Sequence, residues 1–420
     1  MKKSISGILA MAMALSVAAG LNGCGTAGTS VTAKTVTAGT QAAAAAPSAS
    51  QSAGSGIVKT TSVTTGNSGS MIDASSLFSD RDLQQTADTA GAVSYTVSDG
   101  KNITISKAGV YILSGTAKDC TITVNAAKQD DKIQLVLDGL NITNTDSPAI
   151  YVVSADKCFI TTTANESFLT VTGAFKADGD TNTDAVIFSK DDLVLNGVGT
   201  LKVSSSENCI TSKDDLKITG GTYQITAGKN GFEGKDSISV CGGTFDLNTA
   251  KDGFHSENKD DNTKGSVYIS GGTFNIKAGD DGIQGTTITE IDGGNFTINS
   301  VEGIEGTYVQ INNGTISINA SDDGINAAQK STAYDIVIEL NGGNITIVMG
   351  SGDTDAVDAN GTIYVNGGNI NITGSSSFDY DKAGYLNGGT VIVNGTQITE
   401  MPSGMNGRGG GMNGGKRGRF

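Results

Sequence analysis

Residues 269–277 read ISGGTFNIK, a pair of glycines followed by a strand-like alternation of polar and apolar residues. The pattern occurs eight times, once with Asn-Gly in place of the pair, and its second glycines lie 20 to 29 residues apart. These glycines are Gly221, Gly243, Gly272, Gly294, Gly314, Gly343, Gly368 and Gly389. Strands this short cannot bury an apolar side alone, so each repeat must stack on the next, as in a solenoid.

The pattern of the repeat selects among the solenoid folds. Leucine-rich repeats have a similar period but need a Leu/Asn consensus that this chain lacks, and calcium-binding nonapeptide rolls have a much shorter period. The remaining architecture is an all-β parallel β-helix with coils about 4.8 Å apart. The alternating Ile, Val, Phe and Leu residues should point inward, and each corner glycine should adopt a backbone conformation that other residues resist.

The two ends of the chain differ from this repetitive region. Residues 1–23 carry Lys2 and Lys3 before a short apolar run, which is typical of an export signal. The signal ends in LNGC, which resembles the lipobox of bacterial lipoproteins and predicts that Cys24 is lipidated. Residues 24–70 are rich in Ala, Ser, Thr and Gly and predict a flexible tether. The β-helix is expected over residues 71–400, followed by a disordered, Gly-rich basic tail over residues 401–420.

Charge and cysteine content restrict the class of partner. The formal net charge is −15 and becomes −17 when Lys2 and Lys3 are removed with the signal. A polyanion is a poor ligand for nucleic acid, whereas cations or cation-bridged anionic polymers are suitable partners. Four cysteines remain after Cys24, namely Cys120, Cys158, Cys209 and Cys241. Their strand-like settings favour buried free thiols over disulfides.

A second motif recurs in the same coils. Residues 279–285 read GDDGIQG. The acid before Gly282 has an acid or amide as its counterpart in earlier and later repeats. These first positions are Asn208, Asn230, Asp252, Asp281, Glu302, Asp323 and Asp355, with Asp280 and Asp322 beside them. In register they form one column, followed two positions later by inward apolar residues and then by outward polar ones. Asp191, Asp214 and Asp236 are spaced to start another column.

Carboxylates at coil spacing repel one another unless a cation lies among them. Clusters of Asp, Glu and Asn oxygens with no cysteine and almost no histidine suit Ca²⁺ better than zinc or copper. The alternative is a solvated acidic face in which Asp and Asn only shape the turns. The sequence thus predicts calcium somewhere in the two columns, without a definite role for each single aspartate.

Several stretches carry a resemblance to a known family. FSKDDLVLNGVGTLKV (188–203), SKDDLKITGGTYQIT (212–226) and GKDSISVCGGTF (234–245) are the sharpest of them. With them, most of residues 70–400 resembles the bacterial carbohydrate-binding β-helix family that was once catalogued as a domain of unknown function. The resemblance implies a right-handed parallel β-helix that binds calcium and polysaccharide and is related in shape to family 9 pectate lyases. It marks as calcium ligands Asp214, Asp236, Asp252, Asp280 and Asp281, to which the column adds Glu302, Asp322 and Asp323.

Three functions follow in order of preference: a non-catalytic polysaccharide-binding module at the outer face of a bacterial membrane, a calcium-dependent lyase, and a structural stalk. A lyase needs an activated base, but Lys213, Lys229, Lys235 and Lys251 are expected to compensate aspartate charge, and His255 to be a surface side chain. The chain has no Trp to form a platform for neutral sugars. An acidic, polygalacturonate-like polymer is therefore favoured over a cellulose-like one.

Overall fold

The structure, a computed structural model, describes residues 69–129, 132–352 and 354–403. In this part of the chain, 34 strands wind into a parallel β-helix, and the only helix is a 3-10 turn at Ala74–Ser76. All pairs of strands are parallel except the last, in which Thr390–Val393 pairs with Thr396–Ile398 as a hairpin. The predicted all-β parallel β-helix is confirmed.

The coils build three faces, which we number in the order in which the chain passes through a coil. Face 1 contains the eight strands after the corner glycines and two earlier strands in register with them. Its strands are Ser167–Val171, Thr200–Ser205, Thr222–Ala227, Thr244–Thr249, Thr273–Ala278, Asn295–Ser300, Thr315–Ala320, Asn344–Met349, Asn369–Thr373 and Thr390–Val393. Face 2 carries the acidic column along one edge. Its strands are Ile103–Ile105, Ile122–Asn125, Ile150–Ser154, Ala185–Ser189, Asn208–Ser212, Phe232–Gly234, Phe254–Ser256, Ile325–Ala327, Asp355–Ala359 and Ser376–Tyr380.

Face 3 completes each coil. Its strands are Val93–Thr96, Lys157–Thr162, Leu193–Gly197, Asp215–Ile218, Ser237–Val240, Ser266–Ile269, Val337–Leu340, Thr362–Val365 and Ala383–Leu386. Four longer strands bend around a corner and serve two faces. Gly109–Lys118 and Lys132–Asn144 continue from face 3 into face 1, and Asp281–Ile291 and Glu302–Ile311 continue from face 2 into face 3.

The core lies between the three faces and is continuous along the helix. Face 1 strands alternate between exposed and buried residues, as the sequence alternation predicts. Their inward aromatic rings stack from coil to coil: Tyr223 on Phe245, Phe245 on Phe274, and Phe274 on Phe296, with centroids 4.4 to 5.4 Å apart. Stacking of like residues in successive coils therefore replaces the interdigitated packing of an ordinary globular core.

The corner glycines adopt the conformation that the sequence predicts. All eight second glycines have a positive φ, from 81° at Gly389 to 124° at Gly272 and Gly314. A side chain at these positions would be strained, because L-residues rarely occupy that region. The glycine pair thus turns the chain from face 3 into face 1.

The glycines of the acidic motif serve a different purpose, because no positive φ is involved. A Cβ added to Gly282 would lie 2.5 Å from the carbonyl oxygen of Gly303, and one added to Gly303 would lie 2.3 Å from that of Gly324. Adjacent coils approach too closely here for any side chain. We expect Gly303→Ala to lower the free energy of unfolding by about 1–3 kcal/mol in urea titrations. Gly350→Ala, whose nearest contact would be 3.4 Å away, is the control and should change it far less.

The described residues before the first strand cross face 3 as a strap, residues 69–86. Ile72 N–H donates to Glu290 Oε2 (2.7 Å), and Thr219 Oγ1 donates to the carbonyl oxygen of Asp82 (2.5 Å). The Arg81 guanidinium lies 4.5 Å from the centre of the Phe159 ring. The strap is therefore attached at several coils, although its contacts follow no sequence repeat.

Cysteines and termini complete the description. Cys120, Cys158 and Cys209 are buried free thiols, in line with the preferred interpretation, and Cys241 is half-buried. No helix among the described residues is long and apolar enough to cross a membrane. The export signal of residues 1–23, Cys24, nearly all of the tether and nearly all of the tail lie outside the described residues.

Candidate functional site

The acidic column forms one edge of face 2, in the register that the repeat predicts. Asp281 lies opposite Glu302 in the parallel pairing of their strands. The inward residues two positions on stack and are fully buried: Ile210, Phe232, Phe254, Ile283, Ile304, Ile325 and Val357. The polar residues that follow also stack: Glu233, His255, Gln284, Glu305, Asn326 and Asp358. The register prediction is confirmed.

Part of the column has a structural role. Asn208 Oδ1 accepts a hydrogen bond from the Asn230 N–H (3.0 Å), and Asp252 Oδ1 accepts one from the Asp281 N–H (3.1 Å). Asparagine makes this bond between coils without charge. From Asp252 onward, the column has carboxylates at positions where an amide could make the same hydrogen bond. Their negative charge therefore needs another explanation.

Two groups of three carboxylates share Asp281 in the middle of the column. In each group the oxygen atoms lie within 4.8 Å of one another: Asp252, Asp280 and Asp281 in the first, and Asp281, Glu302 and Glu305 in the second. Asp280 is exposed, whereas Asp281 and Glu305 are only 4% and 3% exposed. Lys330, from the segment after Ala327, contacts Glu305 here. We call these five residues the acidic centre.

Amide side chains link the acidic centre internally. Gln284 Nε2 donates to both Asp281 and Glu305, and Asn326 Nδ2 donates to Glu302 Oε2 (2.9 Å) and Glu305 Oε1 (3.3 Å). Asn326 is 7% exposed, and the oxygen of the same amide has no hydrogen-bond partner. A buried acceptor without a donor costs free energy unless something else satisfies it. Its position beside the carboxylates of Glu302 and Glu305 suits a cation.

The charges in the acidic centre are not balanced by the protein. Lys330 Nζ lies 2.7 Å from Glu305 Oε2, and His255 Nδ1 lies 2.7 Å from Asp252 Oδ2. Burial and the charges of Glu305, Asp252 and Glu302 raise the pKa of Asp281 to about 9. Burial and the Glu305 charge raise the pKa of Glu302 to about 7. Without an added cation, the folded protein therefore holds protons here at neutral pH.

His255 differs from the expected surface side chain, because its side chain is only 17% exposed. Burial acts to lower the pKa of His255, but the hydrogen bond and charge of Asp252, with the charge of Glu233, raise it overall. The ring therefore serves as a partner for Asp252, and the raised pKa runs against a role as a general base, which needs the neutral ring.

A second carboxylate group lies at the corner between faces 2 and 3. Oxygen atoms of Asp192, Asp214 and Asp215 lie within 4.8 Å of one another. Burial and the charges of Asp192 and Asp215 raise the pKa of Asp214 to about 6. Asp236, from the same predicted column, accepts a hydrogen bond from Asn258 Nδ2 (2.6 Å) and contacts Lys264. Asp191, the first residue of this column, instead contacts Lys128.

Some members of these carboxylate groups were not predicted from the sequence repeat as metal ligands. Asp192 and Asp215 are the second aspartates of the two KDD segments, so the Asp-Asp doublet itself was the available signal. Glu305 belongs to the outward row, and nothing in the sequence indicates that a distant lysine covers it. Conversely, Asp322 and Asp323 belong to neither group, since Asp322 is exposed and Asp323 Oδ1 accepts the Asp355 N–H at 3.2 Å.

The lysines near the column are mostly paired with carboxylates, as the charge-compensation interpretation predicts. Lys213 lies 2.7 Å from Glu233 Oε1, Lys229 lies 2.8 Å from Glu207 Oε2, and Lys235 lies 2.5 Å from Asp260 Oδ2. The hydrogen bond to Glu207 raises the pKa of Lys229. Such pairing favours the ammonium form, which is the opposite of what proton abstraction needs.

Comparisons with known proteins find a matching family, a similar sequence and a similar solved structure. The sequence model of a family described as carbohydrate-binding domain-containing proteins matches residues 99–354 and 301–404. A carbohydrate-binding domain-containing protein from Acetivibrio thermocellus is 39% identical over 125 residues, which cover 29% of this chain and 43% of that relative. Less than half of that relative is thus matched. The solved polysaccharide lyase-like protein from C. thermocellum, a gadolinium derivative, aligns over 72% of this chain and 97% of its own, with 24% identity and a TM-score of 0.41.

Proposed function

The chain belongs to the family of carbohydrate-binding domain-containing proteins, and we propose that it binds an acidic, pectin-like polysaccharide through calcium held on its β-helix, without cleaving it. A cellulose-like polymer is the alternative ligand. The acidic centre is the observation that carries this proposal. Its five carboxylates have only Lys330 and His255 as cationic partners at contact distance in the described part of the chain.

The residues fit a calcium ion on three grounds. All the candidate ligands are oxygen atoms, which Ca²⁺ prefers. The carboxylate oxygens of Asp281, Glu302 and Glu305 already lie within 4.8 Å of one another, and the unpaired Asn326 oxygen belongs to an amide that contacts two of them. When bound, the ion would neutralise these carboxylates and supply positive charge for an anionic polymer. Asp280 lies on the exposed side of the group and gives the polymer access.

Non-catalytic binding is favoured over lyase activity by the state of the candidate bases. Lys213, Lys229 and Lys235 each form an ion pair with a carboxylate. A base that abstracts a proton beside a bound uronate needs surroundings that favour its neutral form. These surroundings favour the charged form.

We also propose that the protein is held at the outer face of a bacterial membrane through a lipid on Cys24. The support is the export signal and the LNGC sequence at residues 21–24. Two or three lipid chains on one cysteine would suffice for stable anchoring, whereas one chain binds only weakly. A surface location would expose the β-helix to extracellular polymers.

Affinity electrophoresis in polygalacturonate gels tests the binding proposal. We expect the protein to be retarded with calcium and to migrate freely with a chelator. The Glu302→Gln, Glu305→Gln variant should lose the retardation, whereas Asp246→Asn, a carboxylate on the outer side of face 1, should keep it.

The same protein incubated with polygalacturonate should release no unsaturated product, which is read by ultraviolet absorbance. Steady product formation that Lys213→Ala abolishes would establish the lyase instead. Absence of binding to polygalacturonate and to cellulose in either condition would leave only the stalk.

A further inference from the structure

A cleft lies on face 3, beneath the strap and away from the acidic centre. Its volume is about 600 Å³, which falls within the roughly 300–1,000 Å³ of typical small-molecule sites. The strap forms one wall, from Met71 to Leu77. Asp261, Thr263 and Lys264, from the loop after Ser256, and Tyr334 form another part of the wall.

The floor is recessed because its outward side chains are small. Ser237, Ser239 and Ser266 lie on two adjacent strands of face 3 and line the cleft. In register with them, Lys217 lies on one side of Ser239 and Tyr268 on the other. Serines therefore form the floor of the cleft, and the long side chains of Lys217 and Tyr268 lie on either side of it. The sequence builds a pocket here rather than a flat sheet.

The strap, which covers the cleft, is attached to the β-helix on both sides of the cleft. Above it, the N–H groups of Met71 and Ile72 donate to Gln310 Oε1 (3.1 Å) and Glu290 Oε2 (2.7 Å). Below it, Lys217 Nζ donates to the carbonyl oxygen of Leu77 (2.5 Å). The cleft is thus formed before any ligand enters, which reduces the entropic cost of binding.

The polar groups of the cleft are mainly acceptors. Five aspartates and two lysines line it: Asp73, Asp214, Asp215, Asp236, Asp261, Lys217 and Lys264. Both lysines are engaged, Lys217 with Leu77 and Lys264 with Asp236. A ligand carboxylate would therefore meet like charge, whereas ligand hydroxyl groups can donate to the aspartates.

The cleft also has apolar side chains in its lining. Ile72, Leu77 and Ile288 line it, and the half-buried Tyr334 ring is held by a hydrogen bond from its hydroxyl to the carbonyl oxygen of Thr263 (3.2 Å). Sugars combine hydroxyl edges with apolar C–H faces, and aromatic rings are suitable contacts for those faces. We propose that this cleft binds an uncharged sugar unit of a polysaccharide, independently of calcium; the inference rests on the proposed polysaccharide-binding function.

A panel of immobilised uncharged plant oligosaccharides, probed in the presence of chelator, tests the proposal. We expect retention on at least one uncharged member and about tenfold weaker retention on oligogalacturonate of equal length. Ser266→Phe, which fills the recess from its floor, should weaken retention about tenfold, as should Tyr334→Ala. Ser317→Phe, at an outward serine of face 1, is the matched control and should bind like the parent. Melting curves of all variants verify that they fold.

The outcomes separate the two proposals. Binding of polygalacturonate with calcium, but of no uncharged member with chelator, would overturn the cleft and leave the proposed function intact. Equal retention of Ser266→Phe and the parent would also overturn it, by moving the sugar elsewhere. Absence of all polysaccharide binding in both conditions would overturn both.

Discussion

Replacing Phe274 with alanine is expected to lower the free energy of unfolding by about 3–5 kcal/mol, because the change leaves a cavity in a core that cannot collapse. The Phe274 ring is 2% exposed and lies between Phe245, 4.6 Å away, and Phe296, 4.4 Å away. Both neighbours are held by their own coils. The lost contacts therefore include both faces of the ring.

Urea unfolding followed by circular dichroism measures this effect. Val348→Ala, on the outer side of face 1 and 40% exposed, is the control and should change the free energy by no more than about 0.5 kcal/mol. A change in Phe274→Ala as small as that of the control would contradict the stacked core.

The second large effect is the response of stability to pH and calcium. Unfolded aspartate and glutamate lose their protons near pH 4, whereas burial raises the pKa of Asp281 to about 9 and that of Glu302 to about 7 in the folded protein. The folded state thus holds protons that the unfolded chain has released. Stability of the metal-free protein should therefore fall as pH rises from about 4 through 7 and towards 9.

Calcium should reverse this loss, because the ion replaces the protons on the same carboxylates. At a free concentration 100 times the dissociation constant, binding to the folded state alone adds about 2.7 kcal/mol. We expect the melting temperature at pH 8 to rise with calcium, and the increase at pH 5 to be smaller. Scanning calorimetry at both pH values, with calcium and with chelator, measures the effect.

The matched variants are Asp281→Asn with Glu302→Gln, which should lose the calcium response and most of the pH dependence above pH 7. Asp246→Asn, on the outer side of face 1, should keep both. A melting temperature at pH 8 that chelation does not change would mean that the acidic centre is only a buried proton-sharing network.

The sequence was sufficient for the coil register because period and burial agree in every repeat. A shift of one residue would turn Ile283 and Ile304 to the surface and Gln284 and Glu305 into the core, so only one alignment is stable. The glycine at position 272 was equally predictable, since the turn into face 1 needs a positive φ.

The cleft and the cover over the acidic centre could not be predicted in this way, because they depend on contacts that do not repeat. The strap bond between Ile72 and Glu290 joins residues 218 apart, and Lys330 reaches Glu305 from a loop that occurs in one coil. A repeat pattern describes the stack of coils, whereas the candidate sites arise where single segments lie against it.

Anomalous diffraction from crystals grown with calcium tests the central claim most directly. The acidic centre is predicted to hold an anomalous peak about 2.3–2.6 Å from oxygen atoms of Asp281, Glu302 and Glu305. The Asn326 amide, whose nitrogen donates to Glu302 and Glu305, should turn its side-chain oxygen towards the same peak. A map without a peak there, in which these carboxylates bind only Gln284, Asn326 and Lys330, would contradict the claim.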